Sequence, residues 1–505
     1  MPNPRLSRQR LALVIAVITG VPSVAETQRS TSTASLTPKQ VREVDALVSR
    51  HMVARRIPGA AIGIVRGGQL VFAKGYGMAN LETDTPVSEA SVFQIASVTK
   101  PFTAAAVMTL AKSGKLRLDD SVGKFIAQAP STWSGLTVRH LLTHTAGIAP
   151  GAVVRVGADG RVTMREGIPL LDIPATLALR SIAESPVLFP PGARVMYCDA
   201  CYVLLGGVIE RASGQRYQEF MQSHVFGPLQ MSTAGILERW RIVRGAVPVY
   251  TLRNGEVANW RRDFQYELNS FAGITATVAD IAKWVIALRA GQVVSREALE
   301  EMWTPAKLAS GQPAILFGDY YGLGWTLGEV RGHRTAEHAG ASGTFLLHFI
   351  DRDLTVITLT NLDGPSGSQP AILARSIAGV VDSLFLPPGQ VAPRADPFPA
   401  TTHAVRAMLG EIAAERASPL MTAGHRAFFE SLPNAARAED AGLLRTLSDF
   451  TFIARDAMPA RSWPRFGDAI AHVAHYSGLL SGRRFVFSFW LTADGKVANL
   501  RFSPS

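Results

Sequence analysis

The sequence predicts an α+β fold in which an antiparallel sheet is flanked by helices. After Thr37, apolar side chains recur at helical spacing, and two β-strands follow at Ala60–Val65 and Gln69–Tyr76. A second hairpin is predicted much later, at Phe345–Ile350 and Leu354–Thr360. A helix packed on hairpins is typical of an antiparallel sheet covered by helices.

Composition excludes several classes of protein. The chain has 505 residues, of which 47% are hydrophobic and 18% are charged, so it is not disordered, collagenous or a coiled coil. Its 2 cysteines exclude a scaffold held together by many disulfides. The length predicts roughly two to four domains, or one large domain with an appendage.

Residues 1–25 have the pattern of a secretory signal peptide. Met1–Arg10 is basic, Leu11–Val21 is apolar, and small residues lead to Ala25. The apolar stretch is too short to cross a hydrocarbon core of about 30 Å. We therefore expect a periplasmic or secreted protein with no transmembrane span in the mature chain, in which residues 26–36 form a Ser/Thr-rich spacer.

The first helix and the hairpins define a large domain. Thr37-Pro38-Lys39-Gln40 is a typical helix start, with threonine as N-cap, proline at the first helical position and glutamine at N3. Gly67-Gly68 is predicted to form the turn of the first hairpin. Because the later hairpin should return to the same sheet, residues 37–385 are predicted to form one domain.

A smaller domain is predicted to follow it. Residues 386–399 are rich in proline and are predicted to form a stiff, extended linker, and residues 400–505 a small accessory α+β domain. Its predicted elements are two helices, Thr402–Arg416 and Gly424–Ser431, and a hairpin of Arg484–Leu491 and Lys496–Phe502 around Asp494-Gly495.

Ser97 and Lys100 form the first candidate site. A serine at a helix N-terminus lies among unpaired N–H groups, and a lysine three residues later lies on the same helical face. This arrangement suits a nucleophile with an adjacent amine base. The alternative is an ordinary capping serine followed by a solvated lysine.

Several stretches, in their order along the chain, resemble the β-lactamase and penicillin-binding-protein superfamily. Within this superfamily, the stretches are most similar to the branch that contains class C β-lactamases, D-alanyl-D-alanine carboxypeptidases and family VIII-type esterases. The resemblance covers roughly residues 40–385 and implies a sheet flanked by helices plus an inserted helical subdomain. The stretches are Phe93–Thr103, Gly114–Asp120, Val138–Gly147, Tyr202–Gly206, Gly273–Thr277 and Tyr321–Trp325.

The resemblance also implies roles for individual residues. Ser97 would be the nucleophile, and Lys100 with Tyr197 would form the proton relay. His338-Ala339-Gly340 matches the third family motif, on a strand that edges the site. The backbone N–H groups of Ser97 and Ala341 would form the oxyanion hole. No metal or other cofactor is implied.

Two residues depart from the family pattern. Asp199 stands where an asparagine is expected, so the amide donor to an acylamide carbonyl is missing, and a carboxylate near Lys100 would favour its ammonium form. We expect Tyr197 to be the main general base. His338 replaces the usual lysine and is mostly neutral at pH 7, which favours esters or small amides as substrates; the alternative is a histidine with a purely structural role.

The predicted function is that of a serine hydrolase that cleaves an ester or amide bond through an acyl-enzyme. Its partners would be small-molecule esters, amides or peptides. One alternative is a β-lactamase, D-Ala-D-Ala carboxypeptidase or D-aminopeptidase acting on β-lactams or peptidoglycan fragments. Another is a binding protein that has lost turnover.

Other features of the sequence do not change this prediction. The formal charge of +11 suggests an acidic partner, but the arginines are scattered and no nucleic-acid-binding module is present, so we expect no nucleic acid. His140 and His144 have metal-ligand spacing but lack the following glutamate of a metalloprotease helix. Cys198 and Cys201 are equally compatible with a disulfide and with free thiols.

Overall fold

The computed structural model describes residues 35–149, 154–156, 162–164, 172–238, 240–260, 265–458 and 466–504. The expected signal peptide, residues 1–25, and most of the expected spacer lie outside these residues. Within the described part of the chain, no helix is both long enough and apolar enough to span a membrane.

Helices and short strands are interspersed along the chain. The helices are α1 (Pro38–Arg55), α2 (Thr99–Lys112), α3 (Val138–Leu142), α4 (Ala175–Ala183), α5 (Asp199–Ser213), α6 (Tyr217–Met221), α7 (Val278–Arg289), α8 (Arg296–Met302), α9 (Pro370–Val381), α10 (Pro399–Ala413), α11 (Ala423–Ser431) and α12 (Asn434–Leu444). The strands are β1 (Gly59–Arg66), β2 (Gln69–Asn80), β3 (Thr85–Pro86), β4 (Phe93–Gln94), β5 (Val154–Val156), β6 (Val162–Met164), β7 (Asp172–Ile173), β8 (Gly235–Ile236), β9 (Tyr250–Arg253), β10 (Glu256–Asn259), β11 (Gln265–Tyr266), β12 (Ile274–Ala276), β13 (Ile315–Leu316), β14 (Asp319–Tyr321), β15 (Thr326–Val330), β16 (His333–Gly340), β17 (Thr344–Phe349), β18 (Leu354–Thr360), β19 (Ser448–Ala457), β20 (His472–Leu480), β21 (Arg483–Leu491) and β22 (Val497–Pro504).

The first helix starts as the sequence predicts. Thr37 is the N-cap, its hydroxyl accepts a hydrogen bond from the backbone N–H of Gln40, and the Gln40 side chain accepts from the backbone N–H of Thr37. This reciprocal pair satisfies N–H groups that have no partner within the helix. Val44 and Val48 are fully buried against the sheet and α9.

A nine-stranded antiparallel sheet organises the large domain, in the order β13-β14-β15-β16-β17-β18-β1-β2-β3. β18 pairs with β1, so the late hairpin returns to the opening one, as predicted. α1 and α9 cover one face of the sheet, and α7 lies on the other, next to the larger core that contains α2 and α5. The predicted α+β architecture is confirmed.

The chain between β3 and β13 forms the helical region inserted between strands of this sheet. It contains α2 to α8 and a three-stranded sheet of β4, β12 and β8. β12 pairs with β4, and the N–H of Ile95 donates to the carbonyl of Ile274. These bonds join the two ends of the insertion, and the Thr344 hydroxyl of β17 donates to the Ile95 carbonyl at 2.8 Å, which ties its start to the large sheet near the candidate residues.

The C-terminal part has its own hydrophobic core. β19 to β22 form an antiparallel meander, and α10 to α12 pack against it. Phe487, Phe489 and Leu491, at alternate positions of β21, face this core. α10 begins earlier than predicted, because Pro399 occupies its first turn.

The proline-rich segment is less extended than the sequence predicts. Pro388–Gln390 forms a 3₁₀ turn, and the Gln390 side chain donates to the Ser376 hydroxyl on α9. The N–H of Arg394 donates to the Phe452 carbonyl in β19 at 3.1 Å. The segment is therefore bonded to both of the parts that it joins.

A half-buried ion pair links the two parts. Nη2 of Arg331, in the turn before β16, lies 2.9 Å from Oδ1 of Asp456 in β19, and Nε2 of His475 lies 3.2 Å from Oδ2. Burial alone would raise the pKa of Asp456, but the bonds from His475 and Arg331 lower it to about 2. The junction therefore depends on an ionised Asp456.

We expect Asp456→Asn to lower the free energy of unfolding at pH 7 by about 2 kcal/mol, since the lowered pKa measures how strongly folding favours the carboxylate. The stabilisation that ionised Asp456 gives to the wild type is fully present above the ordinary aspartate pKa, and it is lost as the pH falls from about 4 to about 2. Urea unfolding across this pH range measures it, and the variant should lose less stability on acidification. Asp449→Asn, which removes an exposed partner of Arg484, is the control and should change stability by less than about 1 kcal/mol. Equal losses in both variants would contradict the prediction.

Candidate active site

Ser97 lies in a 3₁₀ turn, Ala96–Val98, that leads directly into α2. The backbone before it is strained, because Ala96 has a φ of 47°, in the left-handed region that alanine rarely adopts. The hydroxyl of Thr99 accepts from the N–H of Ile274, which fixes the turn against β12. Such strain persists only where surrounding contacts hold it, and it is common at functional positions.

Lys100 is completely buried beside Ser97. Its Nζ lies 3.1 Å from Ser97 Oγ, 2.7 Å from Asp199 Oδ1 and 3.1 Å from the carbonyl oxygen of Phe271. It also lies 4.7 Å from the centre of the Tyr197 ring. The carboxylate and the carbonyl can only accept hydrogen bonds. Two N–H bonds of the ammonium group are therefore donated to these acceptors, and the third points towards the serine oxygen.

Electrostatics favour the ammonium form of Lys100. Burial alone would lower the pKa of the amine, but the charge of Asp199, with the Tyr197 hydroxyl, outweighs burial and raises the pKa above its ordinary value. The contact between Asp199 and Lys100 that the sequence suggested is therefore present. The side chain of Asp199 is 44% exposed, so one side of the carboxylate remains open to solvent.

Tyr197 is held immediately before α5. Burial raises the pKa of its hydroxyl, although the charge of Lys100 and hydrogen bonds from Lys100 and Ser97 lower it in part. Cys198, the next residue, is the N-cap of α5 and forms a disulfide with Cys201. The structure thus decides for the disulfide where the sequence left two alternatives.

His338 is buried on β16, at the same edge of the sheet. Burial and the positive charge of Lys100 lower its pKa to about 3, so the imidazole is neutral at pH 7. Burial, Lys100 and His338 also lower the pKa of His144 well below its ordinary value. Tyr321 lies between the two rings, with its hydroxyl 3.2 Å from Nε2 of each.

These side chains form a row of hydrogen bonds that begins at the N–H of Cys198 and ends at the carbonyl of Ala339. The two main-chain groups determine which atom donates in each bond. The N–H of Cys198 can only donate, so Nδ1 of His144 accepts at 3.1 Å, and Nε2–H of His144 donates to Tyr321. The Ala339 carbonyl can only accept, so Nδ1–H of His338 donates at 2.8 Å. The Tyr321 hydroxyl then donates to Nε2 of His338, which has no proton of its own to offer there.

β16 ends at Gly340, beside the turn that holds Ser97, and Ala341 follows it. A side chain at position 340 would collide with the Ile95 carbonyl and with the Thr344 hydroxyl, which donates to Ile95 at 2.8 Å. Glycine therefore permits the strand to approach the backbone just before Ser97. This approach brings Ala341 and Ser97 to the same edge, as an oxyanion hole formed by their N–H groups would require.

Among the described residues, neither His140 of α3 nor His144, which follows that helix, forms a metal site with other ligands. Nδ1 of His140 lies within hydrogen-bond distance of the Thr137 hydroxyl and N–H at the start of the helix, and His144 belongs to the row of hydrogen bonds just described. Across the described ranges, no group of three or more His, Cys, Asp or Glu side chains could hold a metal ion.

Similarity to known proteins decides the family. The family model described as Beta-lactamase matches residues 44–379. The chain belongs to the β-lactamase family. This confirms the resemblance drawn from the sequence motifs.

Two curated relatives show the range of this β-lactamase family. Esterase EstB from Burkholderia gladioli is 29% identical over 366 residues, which are 66% of this chain and 93% of that protein. Penicillin-binding protein 4* from Bacillus subtilis (strain 168) is 26% identical over 328 residues, 61% of this chain and 69% of that protein. Together with the family, they indicate that the protein is a hydrolase.

Two solved structures share the fold. The octameric penicillin-binding protein homologue from Pyrococcus abyssi has a TM-score of 0.59 and 23% identity, over 92% of this chain and 98% of its own. EstCE1, a hydrolase with promiscuous acyltransferase activity, has a TM-score of 0.58 and 22% identity, over 68% of this chain and 98% of its own. At these identities the likeness concerns the fold alone.

Three groups in the site of this β-lactamase-family protein have no role that the sequence motifs predict: Tyr321, His144 and the Phe271 carbonyl. Tyr321 begins one of the family-like stretches and His144 lies in another, but neither stretch indicates a role for the side chain. The Phe271 carbonyl left no signal in the sequence, because a main-chain acceptor does not depend on the side chain at that position.

We expect ¹⁵N NMR to show opposite tautomers for the two buried histidines, with the proton on Nε2 of His144 and on Nδ1 of His338. Tyr321→Phe should deprive both rings of a partner and lower the free energy of unfolding by about 2–4 kcal/mol. Tyr76→Phe is the control, because its hydroxyl makes a single partly exposed bond to Asp45. The same tautomer in both histidines would disprove the assigned direction.

Proposed function

We propose that the protein is a serine hydrolase that cleaves an ester or a small amide through an acyl-enzyme on Ser97. The observation that carries this proposal is the buried Lys100 Nζ, 3.1 Å from Ser97 Oγ and bonded to Asp199 on its other side. A serine oxygen beside a buried amine and a tyrosine hydroxyl has the elements of nucleophilic catalysis.

In the first half of the reaction, Ser97 Oγ bonds to the acyl carbon and gives its proton to the Lys100–Tyr197 pair. The N–H groups of Ser97 and Ala341 stabilise the oxyanion, an interaction whose loss typically costs about 3–4 kcal/mol. The tetrahedral intermediate then breaks its bond to the leaving group, which receives the proton from the same pair. In the second half, water attacks the ester of Ser97 by the same path, the acid leaves, and Ser97 regains its proton.

Tyr197 is the proposed proton acceptor. In the resting site both Lys100 and Tyr197 hold their protons, since the pKa of each is raised. The reactive form has one proton fewer. Asp199 favours keeping the remaining proton on Lys100, so the phenolate oxygen of Tyr197 is left to act as the base.

The neutral state of His338 favours an uncharged substrate. The burial that lowers its pKa to about 3 keeps it neutral, and Tyr321 already donates to its Nε2. A substrate carboxylate would therefore meet no cation at this position, whereas a neutral ester would not need one. This favours esters or small amides over β-lactams and peptidoglycan stems that carry a carboxylate.

The second candidate function is β-lactam hydrolysis or D-alanyl peptidase activity, which the similarity to penicillin-binding protein 4* favours. Peptidoglycan fragments would then be the substrate. Asp199 speaks against this function, because a carboxylate cannot donate to an acylamide carbonyl.

We also propose that the protein works in the periplasm or outside the cell. The pattern of residues 1–25 supports export, and the disulfide of Cys198 with Cys201 is typical of an oxidising compartment.

We expect short p-nitrophenyl esters to be hydrolysed faster than a chromogenic cephalosporin or D-alanyl dipeptides, and all activity to be lost in Ser97→Ala. The wild type should also be labelled by a fluorophosphonate at Ser97, as seen by mass spectrometry. Ser342→Ala removes a different serine of the same edge and should keep the labelling. Ester hydrolysis without labelling, or labelling that survives Ser97→Ala, would refute the assigned nucleophile. An unlabelled, inactive wild type would indicate a binding protein.

We expect Asp199→Asn to move the acidic limb of the pH–rate profile to lower pH. Removing the carboxylate takes away the interaction that raises the pKa of Lys100, so the reactive form appears at lower pH and ester turnover near neutral pH increases. Steady-state kcat across pH 5 to 10 measures the shift. Asp119→Asn, at an exposed partner of Arg139, should leave the profile unchanged. A profile unchanged by Asp199→Asn would overturn the role given to the carboxylate.

A further inference from the structure

The turn between β13 and β14 carries an unusual residue. Leu316 pairs with Asp319, so Phe317 and Gly318 are the two central residues, with φ of 54° and 86°. Hairpin turns with positive φ at both positions strongly prefer Asn, Asp or Gly at the first. A phenylalanine there strains the backbone, because its Cβ crowds the carbonyl in the left-handed region.

Other hairpin turns of this chain have glycine, asparagine or another polar residue at the first central position. Among the described residues, those with positive φ at both central positions are Gly67-Gly68, Asn254-Gly255, Arg331-Gly332 and Ser481-Gly482. Phe317 is the apolar exception among them.

Packing does not account for Phe317. Its side chain is 76% exposed, so it contributes little to the hydrophobic core. The strained backbone therefore lowers stability, and burial of the ring does little to offset it. Such a residue is more readily explained by recognition than by folding.

The turn stands at the rim of the candidate active site. The Phe317 ring centre lies 5.8 Å from that of Tyr197. Tyr321, in the same hairpin, bonds to His338. A group bound by Ser97 would therefore find this ring next to the proton relay.

A mainly apolar cavity lies beside the same two segments. Its volume is about 410 Å³, and its lining includes Ile315, two residues before Phe317, and Val195, two residues before Tyr197. Phe428 and Phe466 of the C-terminal part line it as well, with ring centres 4.7 Å apart. The C-terminal part thus contributes aromatic surface next to the site.

We propose that Phe317 is a specificity-determining residue that binds the apolar group of the substrate, with the Phe428–Phe466 cavity accommodating its far end. The substrates are then uncharged esters that carry a medium-length alkyl or an aryl group. This proposal rests on the proposed ester hydrolysis.

The test is Phe317→Asn, which gives the turn a favoured residue and removes the ring. The expected result is an unchanged or higher melting temperature with an about tenfold lower kcat/KM for p-nitrophenyl hexanoate, mainly through KM, while p-nitrophenyl acetate changes less than about twofold. A second pair, phenyl acetate and methyl acetate, separates binding of the leaving group from binding of the acyl chain. If Phe317 binds the acyl chain, the hexanoate preference is lost and p-nitrophenyl acetate is nearly unchanged. If it binds the aryl leaving group instead, the preference for phenyl over methyl acetate is lost and p-nitrophenyl acetate weakens as well. Loss of either preference supports the proposal.

The control is Asn254→Phe, which creates the same strained turn on β9–β10. It should lower the melting temperature and leave both preferences intact. Phe428→Ala should weaken the preference for hexanoate without affecting acetate. If Phe317→Asn leaves both preferences unchanged, the proposal is wrong.

Binding without turnover separates this proposal from the proposed function. Calorimetry should show p-nitrophenyl hexanoate binding about tenfold more weakly to Ser97→Ala/Phe317→Asn than to Ser97→Ala. Equal affinities would overturn the role of Phe317 even if ester hydrolysis is established. Absence of ester hydrolysis in the wild type, with the affinity difference present, would refute the proposed function alone.

Discussion

The ion pair between Lys100 and Asp199 is the interaction on which the site depends. An ammonium group that is completely buried is unfavourable unless acceptors replace its water, and here a carboxylate and the Phe271 carbonyl do so. The same pair decides which neighbour can take a proton, because it stabilises the charge on the lysine. Burial and the positive charge of Lys100 lower the pKa of His338 and of His144, while the charge of Asp199 partly opposes this at His338. The contact with Asp199 therefore keeps the lysine charged, and that charge acts with burial on the neighbouring side chains.

The site is assembled from elements that are distant in sequence but share one edge of the large sheet. The turn before α2 supplies the serine and the first turn of α2 supplies the lysine. The start of α5 supplies the tyrosine and carboxylate, and β16 supplies the histidine. Each is fixed by ordinary local chemistry: a capping cysteine, a glycine that permits close approach, and threonine hydroxyls that bond to main-chain carbonyls. This explains how members of one family can share a framework while differing at single positions such as 199 and 338.

Much of the fold could be predicted from the sequence, and the reasons differ between elements. The start of α1 was predictable because a capping box is local, and the hairpin of β17 and β18 because alternation and turns are local as well. The proline-rich segment was not, since its 3₁₀ turn and its bonds to Ser376 and Phe452 depend on the surfaces on either side. In the site, motif order indicated Ser97, Lys100, Tyr197 and His338 as neighbours, but the role of Tyr321 depends on three-dimensional contacts with two histidines from different elements.

The disulfide between Cys198 and Cys201 closes a covalent ring across a sequence separation of 3. Cys198 also caps α5 and donates to His144, while Tyr197 and Asp199 flank it on either side. So small a ring has few conformations, even where the surrounding chain is loosened. The phenol and the carboxylate are consequently joined to a rigid covalent unit, and their relative placement is less sensitive to local fluctuations of the helix than that of the other residues of the site.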